Sequence, residues 1–243
     1  YISCKWRDCV DVKSILLGKG TNDIPITLKS VVADSVVFNG TGASKIAKNE
    51  KDFSLRWLLQ YGKYVYLTSG DLGGTNQSNY VDLETPMIKA INDVLNIDHI
   101  CTFKLDHHGS GTSNNEEFIE KMKPSSVIIS CGDVAFKGAY HPHPDVINYL
   151  EAQFFKSGAL NTIEHYYVTS LRNDFRDNRQ YIGGSSSKAV IGGDIVCIVE
   201  DDTIGTMSKY GVYFNGDTPT TDIVKDTTKM RAPTSGIHYF SCH

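Results

Sequence analysis

The sequence has no apolar run approaching the roughly 18 residues that a membrane-spanning helix needs, so no membrane span is expected. It has no excess of positive charge: 24 Lys and Arg stand against 28 Asp and Glu, a formal charge of -4. A polycationic face that neutralises many phosphates of a duplex is therefore not expected, although a bound metal ion could still supply positive charge locally. No C-x-x-C pair is present, which argues against a zinc finger or a thioredoxin-type site. Proline is scarce and no internal repeat is visible, so 243 residues should form one large domain, with or without extensions. The chain starts at Tyr1 without Met and without a signal-peptide pattern, and is expected to be a mature or truncated piece of something longer.

Six cysteines are present. Cys101, Cys131 and Cys197 sit in apolar, strand-like runs, where a buried thiol is the ordinary reading. Cys4, Cys9 and Cys242 lie near the termini, where a bridge tying the ends together is expected. An extracellular or cell-surface setting would suit such a bridge.

Residues 24–38 carry partly alternating apolar positions, which predict two strands broken at Ala33-Asp34. Residues 53–59 and 64–68 around the Gly62 turn predict a β-hairpin. Residues 81–95 predict an amphipathic helix, with Leu83, Met87, Ile88, Ile91 and Leu95 on one face. A strand at 99–105 precedes a helix whose cap is read at Ser113, with Glu116 three residues later. Residues 126–131 predict a buried strand, 145–154 a helix, and 163–169 another strand; strands near 189–199 and 206–214 close the fold. The polar segment 173–184 reads as a loop, and 216–243 as a polar C-terminal tail. This strand-helix alternation predicts α/β layering.

Chemistry concentrates at three strand ends. Asp71 follows the second hairpin strand between glycines, where it is either a turn residue or a ligand. His107-His108-Gly109-Ser110-Gly111-Thr112-Ser113 follows the strand at 99–105, and His141-Pro142-His143-Pro144 follows the strand at 126–131. In one sheet these ends share an edge, so four imidazoles and a carboxylate could converge there. Such an N/O donor set suits a zinc-like or manganese-like dication, whose bound water becomes a nucleophile near neutral pH. His-Pro-His-Pro is also a good loop and N-cap in its own right, and His165 and His238 read as ordinary surface or supporting residues.

Residues 49–150 resemble the second half of metallo-β-lactamase-fold hydrolases of the DNA-internalisation (competence protein) type and their secreted relatives. The segments that carry the resemblance are Asn49 and Ser54, Tyr61-Gly62, Ser69-Gly70-Asp71-Leu72 and Asp82-Leu83-Glu84-Thr85. Further along are His107-His108-Gly109-Ser110 with Thr112-Ser113, Lys123-Pro124, Ile128-Ile129-Ser130-Cys131-Gly132 and His141-Pro142-His143-Pro144. The resemblance implies an α/β fold of αββα sandwich type. It implies one or two divalent ions, zinc or manganese, held by Asp71, His107 and His108, with Asp71 bridging. It gives His107, His108 and His141 catalytic roles; Ser110, Thr112 and Ser113 would orient the histidines or hold a substrate phosphate, and His143 would contact the substrate. The expected divisions are strands and loops at 1–48, the second half of the hydrolase domain at 49–215, and the tail at 216–243.

One departure matters. The first-half signature H-x-H-x-D-H is absent, and no histidine occurs before His99. Either a partner chain or a cleaved N-terminal half carries that motif and completes the sandwich, or the chain is a metal-poor relative. The leading expectation is a phosphodiesterase or nuclease-like hydrolase in a heteromer; the other is a non-catalytic binding or structural subunit that keeps the hydrolase shell.

Overall fold

A computed structural model describes residues 14–20, 23–38, 49–77, 79–132, 141–170, 188–191, 193–201, 208–215 and 235–242. Strands β1 (Ile15–Lys19) and β2 (Pro25–Ala33) pair antiparallel, and β2 turns back on β3 (Val36–Val37). That turn is Asp34-Ser35, both left-handed (φ 51° and 62°), which matches the right-handed twist of the strands it joins. The break predicted at Ala33-Asp34 falls at this turn.

The predicted hairpin is β4 (Arg56–Tyr61) and β5 (Tyr64–Ser69), closed by Gly62 at φ 56° and Lys63. Helix α1 (Glu84–Lys89) continues through a wider π turn at Ala90–Val94. Then follow β6 (Thr102–Lys104), α2 (Glu116–Met122), β7 (Ser126–Ile129), α3 (Pro144–Glu151), β8 (His165–Val168) and β9 (Ala189–Ile191). Ladders β5-β6-β7-β8-β9 are parallel, and from β5 to β8 a helix carries the chain back across the sheet to start each next strand. The sheet order is β1-β2-β4-β5-β6-β7-β8-β9, so the N-terminal strands belong to the same sheet as the hairpin.

Period-two alternation assigns the faces. Val65, Leu67, Phe103, Val127, Ile129, Tyr166 and Val168 pack with Met87, Ile91, Phe118, Ile119, Ile147 and Leu150 of the helices. Tyr64, Tyr66 and Tyr167 belong to the opposite face and pack with a second, antiparallel sheet. That sheet comprises β10 (Asp194–Asp201), β11 (Ser208–Asn215) and β12 (Ser235–Cys242). Its inner side chains include Tyr210, Val212, Phe214 and Phe240; Tyr210 meets Tyr64 edge-on at 4.9 Å. The described residues thus form three layers, helices on a mixed sheet on a small sheet, which is an α/β architecture. A second helical layer is not among them. No described helix is long and apolar enough to cross a membrane.

Three expectations are corrected. Residues 235–242 are not tail but β12, buried at Phe240 and Cys242, because their apolar positions alternate against β11. Cys101 is not a free buried thiol: it is bridged to Cys242 across 141 residues, tying the edge of β6 to the small sheet. The Cys131 thiol donates to Ser170 O at 3.1 Å, Cys197 is a free thiol, and Cys4 and Cys9 lie outside the described residues. The α2 cap is Asn115, whose side chain accepts from Phe118 N at 2.7 Å, in place of Ser113. The segment at 173–184 and the polar stretch at 216–234 also lie outside the described residues.

Candidate active site

The carboxyl ends of β5, β6 and β7 share one sheet edge, where ligands of open α/β sheets bind. Beneath that edge lies a buried charge platform. Arg56, Glu84 and Asp106 are each fully buried. Arg56 Nη2 pairs with Glu84 Oε1 at 3.3 Å and with the Asp106 carboxylate. Ser69 Oγ also donates to Asp106. Glu84 accepts the backbone N–H groups of Asn114 and Asn115, each at 2.7 Å. Burial pushes the Glu84 carboxyl up, against the pull of Arg56 and of those two N–H groups. Burial also lowers the Arg56 guanidinium to about 10, against the field of Glu84.

The platform holds the histidine loop in a costly shape. His107 (φ 47°), His108 (φ 56°) and Gly109 (φ 79°) are consecutive left-handed residues. For non-glycine residues this costs about 1–3 kcal/mol each and persists only where surroundings over-determine it. Here Gly70 O accepts from His107 N (3.0 Å), and His107 O accepts from Ser110 N (2.9 Å). The Asn114 side chain accepts from Asp106 N at 2.7 Å and donates to Asp106 O at 2.9 Å. Gly109 is also sterically required, since a Cβ there would lie 2.9 Å from Pro142 Cβ.

Asp71, His107, His108 and His141 are brought together. Asp71 Oδ2 lies 3.8 Å from His107 Nε2, and Asp71 Oδ1 lies 3.9 Å from His108 Nε2. The His141 ring centre is 5.0 Å from that of His107 and 6.0 Å from that of His108. His108 Nδ1 bonds the Ser130 carbonyl at 2.6 Å. A carbonyl only accepts, so Nδ1 carries a proton, and Nε2 is the ring nitrogen that faces Asp71. Burial foremost lowers His107 to about 4, with Lys51, His141 and His108 adding to the effect and Asp71 opposing it, so the ring is neutral at pH 7.

Other expected residues serve the loop itself. Ser110 Oγ and Thr112 Oγ1 share a hydrogen bond of 2.9 Å. Ser113 is buried, and its hydroxyl donates to Leu72 O, which pins the Asp71 turn to the histidine loop. The His143 side chain caps α3, accepting from Asp145 N at 3.2 Å, and its ring lies against Gly111.

One site residue went unseen in the sequence. Lys51 Nζ stands 3.5 Å from Asp71 Oδ2 and donates to His107 Nε2. The 3-10 turn Glu50–Phe53 delivers it, and that turn is well anchored. Asn49 caps it, Asp52 is fully buried and accepts from Asn49 N and Val81 N, and Ser35 Oγ donates to Asp52 O. No local pattern separates Lys51 from a solvated lysine. Arg56 did leave a signal, a charge at an inward position of an apolar strand, which demands a buried partner.

The fit to a metal ion is pairwise. Two donors on one zinc-like ion, each at 2.0–2.2 Å, lie at most about 4.4 Å apart, so both Asp71–His gaps can be spanned. No group of three or more described His, Cys, Asp or Glu side chains converges on one point. Asp71 turns one carboxylate oxygen toward each imidazole, Oδ2 toward His107 and Oδ1 toward His108.

The layered α/β fold with ligand-type side chains at its strand ends can be set beside known proteins. No family model matches the chain. Over 122 residues, 49% of its length, the chain is 30% identical to ComE operon protein 3 of Bacillus subtilis (strain 168). That stretch is 14% of the relative's own length. The similarity agrees with the competence-protein side of the resemblance carried by the motifs.

Proposed function

We propose that the chain supplies the second half of a metallo-β-lactamase-type hydrolase site that cleaves phosphate esters, phosphodiesters foremost. The observation that carries this is Asp71, whose two carboxylate oxygens face His107 and His108 separately at 3.8 and 3.9 Å. The similarity to ComE operon protein 3 supports it, and so does the position of the pair at the ends of parallel strands.

Asp71, His107 and His108 would hold one or two divalent ions, zinc or manganese, which when bound supply an acidified water and polarise the phosphoryl oxygen. The residues of the chain do the positioning. Ser130 O fixes the His108 tautomer so that Nε2 is the ligating atom. His107 is neutral at pH 7, so no proton has to leave its Nε2 before an ion binds. His141 adds a third imidazole beside the pair, suited to moving a proton at the leaving oxygen. Ser110 orients the Thr112 hydroxyl, the group assigned to a substrate phosphate oxygen. The missing convergent donors would come from a partner chain or cleaved N-terminal half carrying H-x-H-x-D-H, in a setting outside the cell.

Metal content and bis-p-nitrophenyl phosphate cleavage in the natural assembly test this. Asp71→Ala should lower cleavage at least about a hundredfold, roughly 2.7 kcal/mol of barrier. Unchanged activity would sink the proposal. The second reading, a non-catalytic binding or structural subunit, is favoured by Lys51, which already occupies Asp71 and His107. Metal-dependent turnover that Asp71→Ala abolishes excludes that reading.

A further inference from the structure

We infer that Lys51 is a built-in occupant of the metal site: its ammonium fills the Asp71 Oδ2–His107 half until a divalent ion displaces it. The inference rests on the proposed hydrolase site and deepens it by assigning a regulator of metal loading within the chain.

His107 Nε2 has a single lone pair. Lys51 donates to that nitrogen, and an imidazole nitrogen that accepts a hydrogen bond there cannot ligate an ion at the same time. The same ammonium lies 3.5 Å from Asp71 Oδ2, the oxygen that faces His107. A divalent ion between those donors would stand within a few ångströms of a like charge in a half-buried place, so the two cations exclude one another. The His108 half differs. It uses the other carboxylate oxygen, and the Ser130 carbonyl already orients its ring. His107 Nδ1, by contrast, is buried with no hydrogen-bond partner among the described residues, so nothing equivalent braces His107 as a ligand.

Lys51 can act reversibly. Its backbone is fixed by the Asn49 cap and by buried Asp52, whereas its side chain is 35% exposed and can swing into solvent. The two half-sites should therefore load unequally, the His108 half first.

Equilibrium dialysis of zinc and manganese into the chelator-stripped full chain tests this, with Lys51→Met, Lys51→Arg and Asp71→Asn beside the unaltered protein. Lys51→Met should bind at least about tenfold more tightly, about 1.4 kcal/mol, or take up one additional ion at the same free metal concentration. Lys51→Arg keeps the cation and should stay as weak as the unaltered chain. Asp71→Asn placed in the Lys51→Met chain should abolish the gain. Equal or weaker binding by folded Lys51→Met, or no binding by any form, overturns the inference. Phosphodiester cleavage by the natural assembly is read in parallel. A gain in metal binding without any cleavage leaves Lys51 as the occupant and removes the hydrolase reading. Asp71-dependent cleavage with no Lys51→Met gain does the reverse.

Discussion

Two charged regions lie within a few residues of each other and are built in opposite ways. The platform of Arg56, Glu84 and Asp106 is fully buried, and its charges are paired and further hydrogen-bonded by Ser69 and by the Asn114 and Asn115 amides. The rim of Lys51, Asp71, His107, His108 and His141 is partly open. It carries left-handed backbone at two histidines and a buried His107 nitrogen with no partner among the described residues. The platform shows what burial demands of charge; the rim shows what such a foundation permits. A strained loop with an unpartnered buried nitrogen can persist because the layer below is over-determined.

The comparison breaks most sharply at Glu84. Glu84→Ala leaves Arg56 with one fewer buried counter-charge and orphans two backbone N–H groups, and should lower stability by about 3–5 kcal/mol. Denaturant unfolding measures it. A loss below about 1 kcal/mol, the scale of an exposed ion pair, would mean the platform is not the foundation described.

Gly109→Ala should come next. The residue sits at φ 79°, and its new Cβ would lie 2.9 Å from Pro142 Cβ. A cost of about 1–3 kcal/mol is expected, together with displacement of the histidines. Measured metal binding should fall along with the unfolding midpoint; a stable variant that binds metal normally would show that the loop tolerates rearrangement.

The smallest effect lies with His107 in the metal-free protein. Its folded value, about 4, is below the 6.5 of an ordinary imidazole. Between those values the unfolded chain binds more protons, so this residue makes stability fall as pH drops from 6.5 toward 4. The denaturation midpoint should lose part of that acid-side slope in His107→Asn. An unaltered slope would place the ring in water.

Much of this was legible in residue order. Period-two alternation separates Tyr64 and Tyr66 from Val65 and Leu67, and that split does put them in different packing layers. Ser113 shows the limit of such reading. Its hydroxyl reads either as one that orients the histidines or as one that holds a substrate phosphate, and only the fold shows it bonded to the Leu72 carbonyl, which is 41 residues away. Cys101 sits in the same kind of apolar run as Cys131 and Cys197, and only its nearness to Cys242 marks it as bridged. Glu84 read as part of a helix start, and its three through-space partners come from Arg56, Asn114 and Asn115.

Residue order alone set most element types, β12 excepted, and the strand ends that precede Asp71, His107-His108 and, beyond β7, His141. Those features follow from side-chain periodicity and turn chemistry, which act over a few residues. Tertiary structure decided that Arg56 belongs to Glu84 and Asp106, that Cys101 belongs to Cys242, and that Lys51 stands on Asp71 and His107. Charge pairing and bridging depend on distance through space, and only the packed sheet brings those residues within reach of one another.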